Sequence, residues 1–273
     1  MSPIRNPKPS RSFDDIWGDI LPVLDILFSD IQNVSASTID NQTYMKAYTA
    51  CVDLCAGNIH PSDKTLPALQ NPGLASLFRP SDSRTHKSLL FYEKLDAYFA
   101  EIVRSLGSPQ DTLLDPSRII TRFQAYATAV KKIDGNLNYF NRHLVQRWRD
   151  EGKGWIDKSG RPSKDQRALE DQLIKWGYRK GEGSIAEYEA YAEAGAPLTT
   201  VASIRATALR RFRTDFVERL DLGVAEVADS EKEAMEVMLK EIGFPPEHPW
   251  RNMLRGPEIQ TDGDEDRIET AQS

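Results

Sequence analysis

Cysteine is scarce in this chain: two in 273 residues, too few for a disulfide framework at this length. Long apolar runs are absent too. No stretch approaches the ~18 consecutive apolar residues that a membrane span requires, so no membrane partner is expected. Residues 1–11 mix prolines with basic side chains and lack the apolar core of a secretory signal. The expected location is intracellular, in cytoplasm or nucleus. No phosphate-binding glycine loop, zinc-protease motif or nucleophile elbow occurs. Glycines at 152, 154, 160, 181 and 183 are scattered among charges without the strand context such loops need. No catalytic residues and no cofactor are expected. A net charge of −6 argues against a dedicated nucleic-acid binder. Period-two alternation is missing as well, which removes β-strands from the expected fold.

What is present has helical period. Ile16, Ile20, Leu24, Leu27 and Ile31 form one stripe, with Trp17 and Phe28 beside it. Ser12 and Asp15 read as a capping box, so a first helix is expected over about 13–34, kinked or divided by Pro22. A second spans 41–56 and stops at Gly57. Residues 58–86, with Pro61, Pro67, Pro72 and Pro80, read as a long loop with a helical turn near 74–78. Leu89 to Leu106 mark a third helix. A fourth starts at Asp115-Pro116 and breaks near Asp134-Gly135 into a fifth carrying Phe140, Leu144 and Trp148. After a glycine-rich linker over 152–163, helices are expected at about 165–179, 185–194, 200–221 and 230–242. From Phe244 onward the prolines and the acidic run 262–266 suggest a mobile tail.

Cys51 and Cys55 lie one helical turn apart. His60 follows Gly57 and falls off that helix, so three or four convergent metal ligands do not assemble. Both cysteines read as small hydrophobes, and no metal site is expected.

The most informative segment is Tyr139-Phe140-Asn141-Arg142-His143-Leu144-Val145-Gln146-Arg147, followed by Asp150-Glu151-Gly152. It resembles the signature helix of the cullin N-terminal domain, often Tyr-Leu-Asn-Arg-His-Trp-Val-x-Arg with Asp-Glu-Gly close behind. Three more segments match in the family's order: Trp17 in the first helix, Tyr44-Met45-Lys46-Ala47-Tyr48-Thr49 in the second, and Leu90-Phe91-Tyr92-Glu93-Lys94-Leu95 in the third. The match covers about residues 13–156 and is nearest to the branch that binds Skp-type adaptors.

That resemblance implies an all-α fold, an antiparallel bundle of cullin-repeat type over 13–156. Additional helices, a partial second repeat, would occupy 157–243. It implies a non-catalytic scaffold in ubiquitin-dependent degradation whose second and fifth helices hold a Skp-type or BTB adaptor. By position, Tyr44, Met45, Tyr48, Leu114 and Tyr139 would be the adaptor contacts. On the second helix, Ala47, Leu54 and one cysteine would face inward. Asn141, Arg142 and His143 would bind neighbouring helices and cap the turn at Gly152. Two residues depart from the pattern: Ala47 replaces a leucine, removing apolar surface, and Lys46 stands where an acid is common. Nothing after Trp155 matches the family's RING-recruiting domain, so no RING partner is expected by the usual surface. The chain would then be a piece of a ligase scaffold or a decoy for adaptors. A competing expectation rests on charge. Residues 118–151 carry seven Lys or Arg against three acids, and residues 203–220 form another basic helix, so a nucleic-acid surface is the alternative.

Overall fold

Ser12 and Asp15 close the capping box expected of them. The Asp15 amide donates to Ser12 Oγ at 3.1 Å, and the Ser12 amide donates to Asp15 Oδ2 at 3.1 Å. From this start α1, Phe13–Ser29, runs without division through Pro22. The helix is therefore not divided at that proline. Pro22 and Gly18, whose carbonyl loses its donor, both lie on the exposed side of the helix, where water can satisfy that oxygen. The computed structural model describes residues 11–29, 31, 38–57, 68–78, 83–107, 115–156, 166–220 and 227–255. The expected end of the first helix near residue 34 and the expected site residue Leu114 lie outside them.

The chain is all-α. The next elements are α2 (Asn41–Ala56), a short α3 (Pro72–Ser76), α4 (Ser83–Ser105) and α5 (Pro116–Asn136). The signature helix α6 spans 138–153, separated from α5 at Leu137 rather than at Gly135. Then come α7 (Gln166–Ile174), α8 (Ile185–Gly195), α9 (Ile204–Asp215), α10 (Asp229–Glu241) and α11 (Pro249–Arg255). No strand occurs among the described residues.

One hydrophobic core crosses the boundary expected at residue 156. It joins Ile16, Trp17 and Leu24 of α1 to Phe91 and Phe99 of α4, Tyr126 of α5, and Phe140 and Trp148 of α6. It continues into Ile204, Phe212 and Phe216, and on to Met238 of α10. Trp148 is enclosed by the edges of Phe78, Tyr92 and Phe140. A smaller cluster of Leu173, Tyr178, Tyr188 and Ala192 lies under α7 and α8. Phe244, placed by sequence at the start of a mobile tail, is only 5% exposed. It is followed by α11, whose Arg251 reaches Glu236 and the Phe244 carbonyl.

Helix α9 is buried on nearly every side despite four arginines between Arg205 and Arg213. Burial of a guanidinium is tolerable only if its donors are satisfied. Arg210, 1% exposed, donates from Nε to the Glu193 carbonyl at 2.8 Å and from Nη1 to the carbonyls of Pro197 (3.0 Å) and Thr200 (2.7 Å). Its Nη2 reaches Thr200 Oγ1 at 3.1 Å. The planar fork thus fastens the segment leading out of α8. Tyr92 of α4 fixes the same segment: its hydroxyl donates to the Ala202 carbonyl at 3.0 Å and accepts from the Ala202 amide at 2.9 Å. Arg211 makes a paired contact with Asp96, tying α9 to α4.

An ammonium cannot span three carbonyls as a guanidinium does. Arg210→Ala is expected to cost about 3 kcal/mol, because buried acceptors lose their donor. Arg210→Lys should recover less than half of that loss in urea unfolding, and equal stability of the lysine variant would refute the role of the fork.

Candidate functional site

Helix α2 divides cleanly into two faces. Asp40 caps it, accepting from the amides of Gln42 at 2.9 Å and Thr43 at 3.0 Å, and Gly57 ends it in the left-handed region. Ala47, Ala50, Cys51, Leu54 and Cys55 point into the core. One cysteine was expected inward; both are, and burial pushes the Cys51 thiol well above its ordinary value. The opposite face presents Tyr44, Met45 and Tyr48, which are 38%, 53% and 37% exposed. These are three of the six large apolar or aromatic side chains exposed among the described residues. No other such group forms a row on one helix.

The rings of Tyr44 and Tyr48 stack with centroids 6.3 Å apart, as one helical turn allows. Tyr48 meets the edge of Tyr139 at 5.8 Å across to α6. Tyr139 in turn lies 4.1 Å from the His143 ring. Three of the five residues singled out by sequence, Tyr44, Tyr48 and the half-buried Tyr139, are therefore joined ring to ring; Met45 lies beside them on α2, and His143 extends the row. Arg142 and His143, expected to bond to neighbouring helices, are both exposed. The spacing of Tyr139 and His143, one turn apart, was the signal that could have placed them together.

Helical spacing explains this arrangement. Helix α6 contains a π-type turn at Asn141–Val145, and Gly152, at φ 77°, departs from helical geometry near its end. Phe140, Leu144, Val145 and Trp148 share the inward side, which leaves Arg142 and His143 outside.

Of the three polar signature residues, Asn141 alone bonds to neighbouring helices as expected. Its Nδ2 donates to Asp134 Oδ1 at 2.7 Å, and its Oδ1 accepts from the Ile204 amide at 3.1 Å. Asp134 Oδ1 also accepts from the Arg205 amide at 3.1 Å. Glu193 accepts from the amide and hydroxyl of Ser203, at 3.1 and 2.8 Å, and pairs with Arg149 at 3.4 Å. The first amides of α9 thus have partners on α5, α6 and α8.

Two departures from the sequence pattern separate here. Ala47 is 1% exposed and packs inward, so its substitution for leucine changes core packing and removes no surface. Lys46 is exposed. It borders a shallow depression shared with Arg11, Asp19, Asn41, Gln42, Met45 and Thr49. The basic stretch 203–220 is largely consumed internally. Arg205 pairs with Glu241, Arg211 with Asp96 and Arg213 with Glu218, and Arg210 is buried. Arg219 is the exposed arginine of that stretch, which leaves no row of cations for successive phosphates. Among the described residues, no three His, Cys, Asp or Glu side chains gather as metal ligands would.

No protein-family model, curated protein or solved structure matches the chain.

Burial is the strongest influence on Asp134 and raises its carboxyl above the ordinary value; the bonds from Asn141 and Arg205 oppose that rise. The folded state therefore holds this proton more tightly than the unfolded chain does. The stability this supplies is present below an ordinary carboxyl pKa of about 3.9 and lost as pH rises through the raised value. Asp134→Asn keeps an oxygen for both donors and removes the buried charge. Its urea midpoint is expected to equal or exceed that of the wild type at pH 7, with the difference shrinking toward pH 4. Asp134→Ala should lose about 1–3 kcal/mol throughout. An asparagine variant as unstable as the alanine one would contradict this reading.

Proposed function

We propose that this chain is a non-catalytic docking module of cullin-repeat type that holds a Skp-type or BTB adaptor in ubiquitin-dependent protein degradation. One observation carries the reading. Tyr44, Met45 and Tyr48 were singled out by resemblance on one segment and Tyr139 on another, more than 80 residues away; the first three are exposed on α2, and Tyr48 meets the half-buried Tyr139 at 5.8 Å.

The patch has the composition that protein docking favours. Tyrosine and methionine are enriched at interface centres, and tyrosine brings large contact area with a polar edge. Here the rings brace one another, so little side-chain freedom remains to be lost on binding. Leu114 belongs to the reading through sequence alone. The reading assigns no residue a chemical step: the module's work is to present an adaptor, and its effect on a ligase follows from which adaptors it occupies.

Purified chain mixed with a Skp-type adaptor, and separately with a BTB adaptor, tests the reading by titration calorimetry. Binding to one of them is expected, and Tyr48→Ala should weaken it by about 1–3 kcal/mol as a central anchor. Unchanged affinity with retained helicity would move Tyr48 off the interface, and binding to neither adaptor by a folded chain would sink the proposal.

A further inference from the structure

The patch has a charge bias opposite to that of the whole chain. With 41 acids against 35 lysines and arginines the protein is net negative, yet the two helices that build the patch expose cations. Lys46 lies on the outer face of α2, and Arg142 and Arg147 lie on that of α6, with His143 among them. Tyr139, His143 and Arg147 follow at four-residue spacing, so Arg147 continues the ring row along α6. The only acid within α2 is Asp53, buried and 3.7 Å from Arg11. Residues 138–149 contain none.

The carboxylates at the margins are engaged. Asp40 accepts from Gln42 and Thr43 at the cap. Asp19 is held by Arg11, and Asp150 accepts from Gln146. Glu151 pairs with Lys153 and, more loosely at 3.9 Å, with Arg147. An apolar centre framed by cations, with the exposed carboxylates of α6 confined to Asp150 and Glu151 at its far end, repels a basic partner and attracts an acidic one.

We infer that the partner docking here is an acidic protein surface, with carboxylates set against Lys46, Arg142 and Arg147 around an apolar contact to Tyr44, Met45, Tyr48 and Tyr139. This inference rests on the docking role proposed above and specifies the chemistry of the partner. The same cations could in principle meet phosphates, but the centre they frame argues for protein. Met45, the most exposed of the four side chains, is an apolar residue that a protein interface buries and a sugar–phosphate backbone does not.

The test uses a purified Skp-type adaptor and the full chain as Lys46→Glu, Arg142→Glu and Arg147→Glu, singly and together, with Lys46→Arg as the charge-conserving control. Affinity and association rate are measured at 50 and 500 mM NaCl, and circular dichroism checks folding. Each single reversal is expected to weaken binding about threefold at low salt, and the triple reversal on the order of 30- to 100-fold, mainly through slower association. The gap should narrow at 500 mM, where screening shortens the reach of surface charge. Lys46→Arg should match the wild type. If the triple variant misfolds, the single reversals carry the test.

A folded triple variant binding within about twofold of wild type at 50 mM overturns the inference while leaving the docking role intact. A folded wild type that binds no adaptor overturns both. A 20-nucleotide RNA probe run in parallel provides the remaining outcome: tight binding by wild type, lost in the triple variant, would assign the cations to nucleic acid and overturn the acidic-protein reading.

Discussion

The start of α9 is the constraint on which the arrangement of the other helices depends. A helix entering a protein interior brings amide groups that its own turns cannot satisfy. Here those groups are met from three directions: Asn141 of α6 at the Ile204 amide, Asp134 of α5 at the Arg205 amide, and Glu193 of α8 at Ser203. With that end fixed, Phe212 can pack against Phe123 and Tyr126, and Tyr126 can donate to the Ala208 carbonyl at 3.0 Å. The same positioning sets the register of α6, whose other side carries Tyr139 and His143. Interior polar bonding on one face of the signature helix therefore determines where its surface aromatics stand.

The result is a division of labour within one helix. Leu144, Val145 and Trp148 fill the core, Asn141 bonds sideways, and Tyr139, His143 and Arg147 face outward. Ordinary helical spacing produces the division, with residues 140, 144, 145 and 148 on one side and 139, 143 and 147 on the other. Helix α2 solves the same problem more simply: its small residues Ala47, Ala50, Cys51 and Cys55 let it lie close to the core, which leaves the larger Tyr44, Met45 and Tyr48 on the solvent side.

Much of this was legible in the sequence because it follows from local rules. The capping residues Ser12 and Asp115 start helices as their chemistry dictates, and Gly57 ends one. The inward stripe of α1 is also readable from its period. What escaped was whatever depends on partners distant in sequence. Pro22 divides a helix by local rules, but its exposed setting lets water take the place of the lost hydrogen bond. The arginines of α9 suggest a solvated basic face until Glu193, Pro197, Thr200 and Asp96 are brought to them. Phe244 lies among prolines that read as a tail, yet the turn at Gly243 carries it back onto α10. In the candidate site, the tyrosines on α2 and α6 were named from a resemblance, whereas the outward face of His143, one turn from Tyr139, becomes plain only once Leu144, Val145 and Trp148 are seen to take the core side.

The bonding around α9 also bears on inheritance and modularity. Residues 13–156, taken by themselves, invite treatment as a portable unit. Asn141 and Asp134, however, lie within that segment and complete their bonding on amides beyond residue 203. Phe123, Tyr126 and Trp148 likewise share a core with residues of α9. A graft of the first half alone would lose the Ile204 and Arg205 donors to Asn141 and Asp134 and carry an open apolar face into its new host. Recombination can exchange the surface tyrosines freely, but the scaffold that aims them has to be exchanged as a whole.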